Sequence, residues 1–186
     1  MRKSTALVFL MLSTLLQAGP LDAVPKSERR LHVDALKTSL YDDVGSGWCG
    51  RGVYSVLTSV GLLAKGESAN GEDWEFLLRK AGWCPVQCAS PWQAPWGSIL
   101  VYVSDARAGG QLFRGTAGGK FGHVEFVAID ASGRRWFVSD KPRAIPGGTV
   151  ADNFTRRAWL PPEAHARFLR TSQNAPTSAR LSLREF

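Results

Sequence analysis

The chain has 186 residues, of which 44% are apolar, and its 23 Lys and Arg outnumber 16 Asp and Glu to give a formal net charge of +7. This length suits one compact domain, and an aromatic fraction of 10% with only 21% charged residues excludes intrinsic disorder for most of the chain. Three cysteines are too few for a disulfide-dense small domain or for a zinc site of four thiolates.

The N-terminus has the pattern of a secretory signal peptide. A positively charged start at Arg2 and Lys3 precedes an apolar run over residues 6–16, which is shorter than the roughly 20 residues that a membrane-spanning helix needs. Cleavage after Ala18, Gly19 or Ala23 fits this pattern equally well. We therefore predict that the mature protein is exported, periplasmic or secreted, with no stable membrane insertion once the signal is removed. The predicted division is a signal peptide at residues 1–23, one folded domain at 24–170 and a flexible tail at 171–186.

The first half of the domain has the apolar spacing of helices. A short helix is predicted within residues 24–44, with Ser27 as its N-cap. A second is predicted to begin at or just after Cys49 and to run to about residue 63. A third is expected to follow Asn70 as its N-cap and to stop at Gly82. Residues 83–97, rich in Pro and Trp, are predicted to be a loop.

The second half has short β-rich runs. Strands are predicted at residues 98–104, 123–129, 135–139 and 156–160, with a final helix at 162–170. Helices followed by an antiparallel sheet predict an α+β domain.

A cysteine at the start of a helix and a histidine at the start of a strand form the candidate catalytic pair. The helix N-terminus stabilises the Cys49 thiolate, and His123 can supply the base that a thiol nucleophile needs. Asp140, at the end of the next predicted strand, could accept a hydrogen bond from the second imidazole nitrogen. The other histidines, His32 and His165, are expected to face solvent.

Three blocks follow one another along the chain: Gly47-Trp48-Cys49-Gly50, then residues 94–102, then Gly122-His123-Val124-Glu125-Phe126-Val127. Together they resemble the CHAP and NlpC-type cysteine peptidases, papain-like enzymes that cut amide bonds in bacterial peptidoglycan. The resemblance implies a papain-like fold with helices, one carrying the nucleophile at its start, packed on a small antiparallel sheet. It also implies Cys49 as the nucleophile, His123 as the base, and Asp140 or a neighbour as the third residue. Ser98 departs from the family pattern, which has Asp at this turn.

The other two thiols are predicted to form a disulfide. Cys84 and Cys88 are four residues apart, a separation that a tight loop can bridge, and pairing them leaves Cys49 free. A zinc site made of these three cysteines and His123 has the spacing of no finger or ribbon. No metal or cofactor is therefore expected.

Aromatic side chains and positive charge bear on what the site binds. Trp48, Trp92 and Trp96 are candidate substrate-binding residues, although Trp residues in such a loop can also form a local core. The surplus of basic residues is spread along the chain. It fits either ordinary solubility or attraction to an anionic cell wall, and no nucleic-acid-binding motif accompanies it.

These features predict an exported cysteine hydrolase that cleaves amide bonds in peptidoglycan through a Cys–His dyad or triad and an acyl-enzyme. Two alternatives remain. One is a catalytically inert wall-binding or interaction module on the same fold, and the other is a secreted toxin acting on another amide or acyl substrate. The expected partner is peptidoglycan and not nucleic acid, and an inhibitor or immunity protein is left open.

Overall fold

The computed structural model of this protein describes five stretches of the chain. They are residues 24–37, 49–64, 69–108, 120–144 and 154–174. The predicted signal peptide and Trp48 lie outside the described residues, as does the part of the predicted tail beyond residue 174.

Among the described residues, three helices precede the first strand, a short helix lies between β2 and β3, and one helix follows the last strand. The helices are α1 (Lys26–Leu36), α2 (Cys49–Ser59), α3 (Trp74–Lys80), α4 (Asp105–Ala108) and α5 (Pro162–Asn174). The strands are β1 (Cys84–Gln87), β2 (Ile99–Tyr102), β3 (His123–Ile129), β4 (Arg135–Val138), β5 (Pro142–Ala144) and β6 (Phe154–Leu160). Short 3₁₀ turns at Gly71–Asp73 and Pro91–Gln93 precede α3 and β2.

Within the described stretches, the strands form one antiparallel sheet in the order β1-β6-β2-β3-β4-β5. The central strands β2, β3 and β4 are adjacent, and Tyr102 of β2 lies opposite His123 of β3. The predicted α+β class is therefore confirmed. The sequence located β2, β3, β4 and β6 to within two residues, because their apolar runs are bounded by clear turn residues.

Side chains that alternate along the central strands build two apolar layers. On one face of the sheet, Ile99, Val101, Val124 and Phe126 pack in one cluster with Val53 and Leu57 of α2. On the other face, a second cluster contains Leu100, Tyr102, Val127, Phe137 and Phe154. Because both faces are buried, the strands appear in the sequence as nearly continuous apolar runs. The first layer fixes α2 against β3, which carries the candidate catalytic histidine.

Two strands were not foreseen. β1 lies inside the segment that was predicted to be a loop, where Pro85 hides the strand signal. Proline is tolerated there because β1 is at the edge of the sheet. β5 follows β4 directly through a tight turn at residues 139–141 and forms the opposite edge. The sequence had therefore predicted the centre of the sheet and not its edges.

The helix ends differ in detail from the predictions. The N-cap of α1 is Pro25, so the prediction of Ser27 is wrong. Gly82 follows α3 with a positive φ of 81°, as expected for a glycine that ends a helix. The final helix extends to Asn174, four residues beyond its predicted end. None of the helices in the described stretches is long and apolar enough to cross a membrane.

His32 is buried in the core, so the expectation that it faces solvent is wrong. Its Nδ1 accepts a hydrogen bond of 3.2 Å from the backbone amide of Ile129, and its ring contacts Trp96 and Phe126. Burial lowers the pKa of His32 to about 4, so the imidazole is neutral at physiological pH. This histidine ties α1 to the end of β3 and has a structural role.

Candidate active site

The Cys49 thiol lies at the first residue of an eleven-residue helix. α2 begins at Cys49, as predicted, and the side chain is largely buried. The first amides of a helix have no acceptor within it, so they are available to an anion at this end. Hydrogen bonds from the backbone amides of Gly50 and Val124 reach the sulfur. The thiol therefore lies where the end of α2 meets the start of β3.

These surroundings favour the thiolate. Burial alone would raise the pKa of the Cys49 thiol, but this effect is outweighed by the hydrogen bond and the charge of His123 and by the amides of Val124 and Gly50. The net effect lowers the pKa of the thiol below its ordinary value. This is the direction of shift that a nucleophilic cysteine needs, and the opposite of what burial alone would give.

The partner of the His123 imidazole is Glu125. His123 Nε2 lies 3.0 Å from Glu125 Oε1, and both side chains are largely buried. The two residues are separated by one position in β3, so they lie on the same face of the strand. Because Nε2 faces the carboxylate, Nδ1 is the nitrogen left to make the hydrogen bond with Cys49.

The same contacts stabilise the charged imidazolium. Burial alone would lower the pKa of His123, but the charge of Glu125 and the hydrogen bonds to Cys49 and Glu125 raise it to about 10. The lowered thiol pKa and the raised imidazole pKa both shift the pair towards a thiolate and an imidazolium. This is the arrangement of a Cys–His–carboxylate nucleophile.

Asp140 does not occupy the place that the sequence assigned to it. β4 ends at Val138, and Asp140 lies in the tight turn before β5, not at the end of a strand facing His123. Asp140 Oδ1 accepts hydrogen bonds from Ser139 Oγ at 2.8 Å and from Arg143 Nη2 at 2.9 Å. Its charge interacts with that of His123, but the carboxylate on Nε2 belongs to Glu125. The assignment of the third residue is corrected accordingly.

Arg143 links the two carboxylates of the site. Its Nη1 lies 3.7 Å from Glu125 Oε1, while Nη2 bonds Asp140. The guanidinium is partly exposed, so each ion pair is screened by solvent. Asp140 and Arg143 thus form an outer layer around the triad of Cys49, His123 and Glu125.

Small residues bring the parts of the site together. A Cβ on Gly52 would overlap the backbone oxygen of Ser139, so only glycine lets α2 touch the β4–β5 turn. A Cβ on Gly71 would lie 2.5 Å from the backbone nitrogen of His123, which brings the turn before α3 against the start of β3. Gly52 lies about one helical turn after Cys49, so this close approach holds the first turn of α2 against the β4–β5 turn.

The predicted disulfide is not formed, since the thiols of Cys84 and Cys88 are both free. Cys84 begins β1, and the amide of Cys88 continues the ladder by bonding the carbonyl of Arg156. Four extended residues span roughly 13 Å, whereas a disulfide joins Cα atoms about 5.5 Å apart. The prediction assumed a tight loop where the chain is a strand.

Two of the three predicted tryptophans, Trp92 and Trp96, lie away from the thiol. The ring of Trp96 is 5.7 Å from that of His32, which bonds Ile129 at the end of β3 opposite to His123, roughly 20 Å along the strand. Trp92 stacks on Phe137 at 5.4 Å. Both side chains are half-buried and pack under the loop, which was the alternative interpretation of these residues. Trp48 lies outside the described residues.

The sequence did contain a signal for Glu125. A charged residue within the apolar run of β3, two positions after a histidine, is costly to bury unless it has a partner on its own face of the strand.

In the described part of the chain, no group of three or more His, Cys, Asp or Glu is arranged to hold a metal ion. Comparison of the chain with protein-family models, curated proteins and solved structures finds no match.

Proposed function

We propose that this protein is an exported cysteine hydrolase that cleaves amide bonds in peptidoglycan. The observation that carries the proposal is the Cys49 thiol at the N-terminus of α2, hydrogen-bonded to His123, whose Nε2 lies 3.0 Å from Glu125. The choice of peptidoglycan is supported by the resemblance of the three sequence blocks to CHAP and NlpC-type enzymes and by the positive net charge.

The first half of the reaction forms an acyl-enzyme. The Cys49 thiolate attacks the carbonyl carbon of the amide, and the carbonyl oxygen becomes an oxyanion beside the first amides of α2. The His123 imidazolium then donates its proton to the amide nitrogen, the C–N bond breaks, and the amine leaves. The product is a thioester on Cys49 and a neutral His123.

The second half regenerates the thiolate. Neutral His123 takes a proton from water as the water oxygen attacks the thioester carbonyl, and the C–S bond breaks. The carboxylic acid leaves, and the thiolate and imidazolium are restored. Glu125 holds the ring orientation and stabilises the imidazolium in both halves.

Digestion of purified sacculi tests the proposal. The protein should release new amino groups and soluble fragments, which mass spectrometry identifies, while Cys49→Ala should release none. Cys84→Ala is the matched control, because it removes a thiol on β1 away from the site and should keep the activity. Intact sacculi after prolonged incubation with the unaltered protein would reject the peptidoglycan assignment.

Thiol reactivity tests the chemistry separately from the substrate. Iodoacetamide should modify the Cys49 peptide at pH values well below the free-thiol pKa of about 8.5, and His123→Ala should move this reactivity towards that value. An inert wall-binding module would instead show a Cys49 that reacts only at alkaline pH or not at all.

A further inference from the structure

The Glu125 carboxylate has a separate partner on each oxygen. The side chain is buried, with Oε1 facing His123 and Oε2 accepting a hydrogen bond of 3.2 Å from the hydroxyl of Tyr102. A buried carboxylate with one oxygen unsatisfied would be costly, and it could also rotate away from the imidazole. The hydroxyl of Tyr102 donates a hydrogen bond to Oε2 and restricts this rotation.

We propose that Tyr102 is a positioning residue of this site, whose hydroxyl orients Glu125 so that the other carboxylate oxygen faces His123. The inference rests on the proposed cysteine chemistry but does not depend on which amide is cut. Tyr102 acts through Glu125 and touches neither the thiol nor the substrate in this role.

The ring of Tyr102 is held firmly enough for this role. Tyr102 is 4% exposed, and it lies opposite His123 in the pairing of β2 with β3. Its ring centroid is 5.7 Å from that of His123 and 5.5 Å from that of Phe154. With its ring packed between these neighbours, the hydroxyl has a fixed direction.

An irregularity in the sheet lies directly beside this tyrosine. The pairing of β2 with β6 shifts register between Leu100 and Tyr102, and Arg156 of β6 has a positive φ of 57° there. A bulge of this kind re-aims side chains and is frequent next to active sites. The bulge pairs Tyr102 with Phe154 and so sets the packing on one side of its ring.

Tyr102 can act only as a donor to the carboxylate. Burial and the neighbouring charge of Glu125 raise the pKa of its phenol well above the ordinary value, so it stays protonated. Its hydrogen therefore remains available to Oε2 throughout the cycle, in which it is neither acid nor base.

The test is Tyr102→Phe, which removes the hydroxyl and keeps the ring. The readout is the pH dependence of iodoacetamide modification at the Cys49 peptide, which needs no substrate. We expect the midpoint to rise by about one pH unit, since the hydrogen bond to a charged group contributes roughly that much. On sacculi, kcat should fall about tenfold with KM within twofold. Tyr54→Phe, on α2 but bonded to the carbonyl of Ala64, is the matched control and should keep the original profile.

A double variant separates positioning from general damage. If Tyr102 acts through Glu125, adding Tyr102→Phe to the Glu125→Gln variant should have little further effect. The rate of Cys49 modification in the double variant should differ from that of Glu125→Gln by less than twofold at any pH. Profiles recorded at both 10 °C and 25 °C, with unfolding midpoints by circular dichroism, keep the comparison valid for a less stable variant. The proposal is overturned if Tyr102→Phe keeps the original profile, or if its effect is undiminished in the Glu125→Gln background. A shifted profile with undigested sacculi would support Tyr102 as a positioning residue and reject only the substrate.

Discussion

At the scale of single residues, the buried carboxylate of Glu125 contacts the imidazole of the candidate catalytic pair. It lies 3.0 Å from Nε2 of His123 and is the main contributor that raises the pKa of the imidazole. The imidazolium of His123 in turn lowers the pKa of the Cys49 thiol through its hydrogen bond and its charge. Asp140 is bonded to Ser139 and Arg143, and its charge interacts with that of His123.

Two matched amide substitutions distinguish the carboxylates. Glu125→Gln should lower the rate of Cys49 alkylation at pH 6 and the turnover of sacculi by roughly 100-fold, because the imidazolium loses its counter-charge. Asp140→Asn should lower both by less than about tenfold. Both rates can be measured on the same preparations. Equal or greater damage from Asp140→Asn would restore Asp140 as the third catalytic residue.

The sequence could have suggested Glu125 as the carboxylate partner of His123, but it could not have excluded Asp140 from that role. Residues two apart on a strand share a face whatever the rest of the fold does, so the pairing of His123 with Glu125 is a local property. The place of Asp140 depends on where β4 stops. The tight turn that follows β4 exists only because β5 pairs back onto it.

At the scale of secondary-structure elements, the contact between α2 and the β4–β5 turn fixes the thiol. Gly52 has no Cβ, and its backbone lies directly against Ser139 and Asp140. α2 and β3 share one apolar layer, so a displaced helix would also disturb the contacts of Val53 and Leu57. The position of Cys49 thus depends on a close approach between backbones.

Gly52→Ala should therefore be strongly destabilising. The added methyl group meets a backbone oxygen that cannot move without separating α2 from the turn, so we expect a loss of about 3 kcal/mol or more in the free energy of unfolding. Gly61→Ala is the control: its φ is +75°, but nothing lies within 4 Å of the added group, and it should cost only about 1 kcal/mol. Urea unfolding measures both. Equal losses in the two variants would contradict the close approach.

A second prediction at this scale concerns the free thiols at the edge strand β1. Because Cys84 and Cys88 lie in an extended segment and are free, reducing agent should change the melting temperature by less than about 1 °C. Thiol titration of the denatured, unreduced protein should detect three free thiols per chain. A native disulfide would instead contribute roughly 2–5 kcal/mol to stability. A melting temperature that drops by several degrees on reduction would show that the two cysteines pair.

At the scale of the whole molecule, the candidate active site and the buried His32 lie at opposite ends of strand β3. Cys49 and Glu125 surround His123 at the start of β3, while His32 bonds Ile129 at the other end. One imidazole is charged and the other neutral, since Glu125 raises the pKa of His123 and burial lowers that of His32. The surroundings that the fold provides set the opposite behaviour of the two rings.

His32 should make the stability depend on pH in a defined window. The unfolded chain binds a proton at this histidine near pH 6.5, whereas the folded chain does so only near pH 4, so folding stability falls as pH drops through this range. The expected loss is about 3 kcal/mol by linkage. His123, with a raised pKa, contributes stability that is lost as pH rises above 6.5, outside this window.

His32→Asn offers an acceptor for the Ile129 amide without a group that titrates in this window. The free energy of unfolding is measured with urea at pH 4.5 and at pH 6.5 for both proteins. The difference between the two pH values should be at least about 2 kcal/mol smaller in His32→Asn than in the unaltered protein. His165→Asn is the matched control, because this histidine lies on α5, away from the core cluster. An unchanged pH slope in His32→Asn would assign the acid sensitivity to other groups.

The sequence by itself determined the class of the fold, the position of Cys49 at a helix start and the strand that begins at His123. These are local properties, because apolar spacing and turn residues act over a few neighbouring positions. The tertiary structure alone decided that Cys49 meets His123, that Asp140 lies in a turn, that His32 is buried, and that Cys84 and Cys88 are too far apart to bond. Each of these depends on which strands pair and how closely helices approach them, and residues distant in the chain set those contacts.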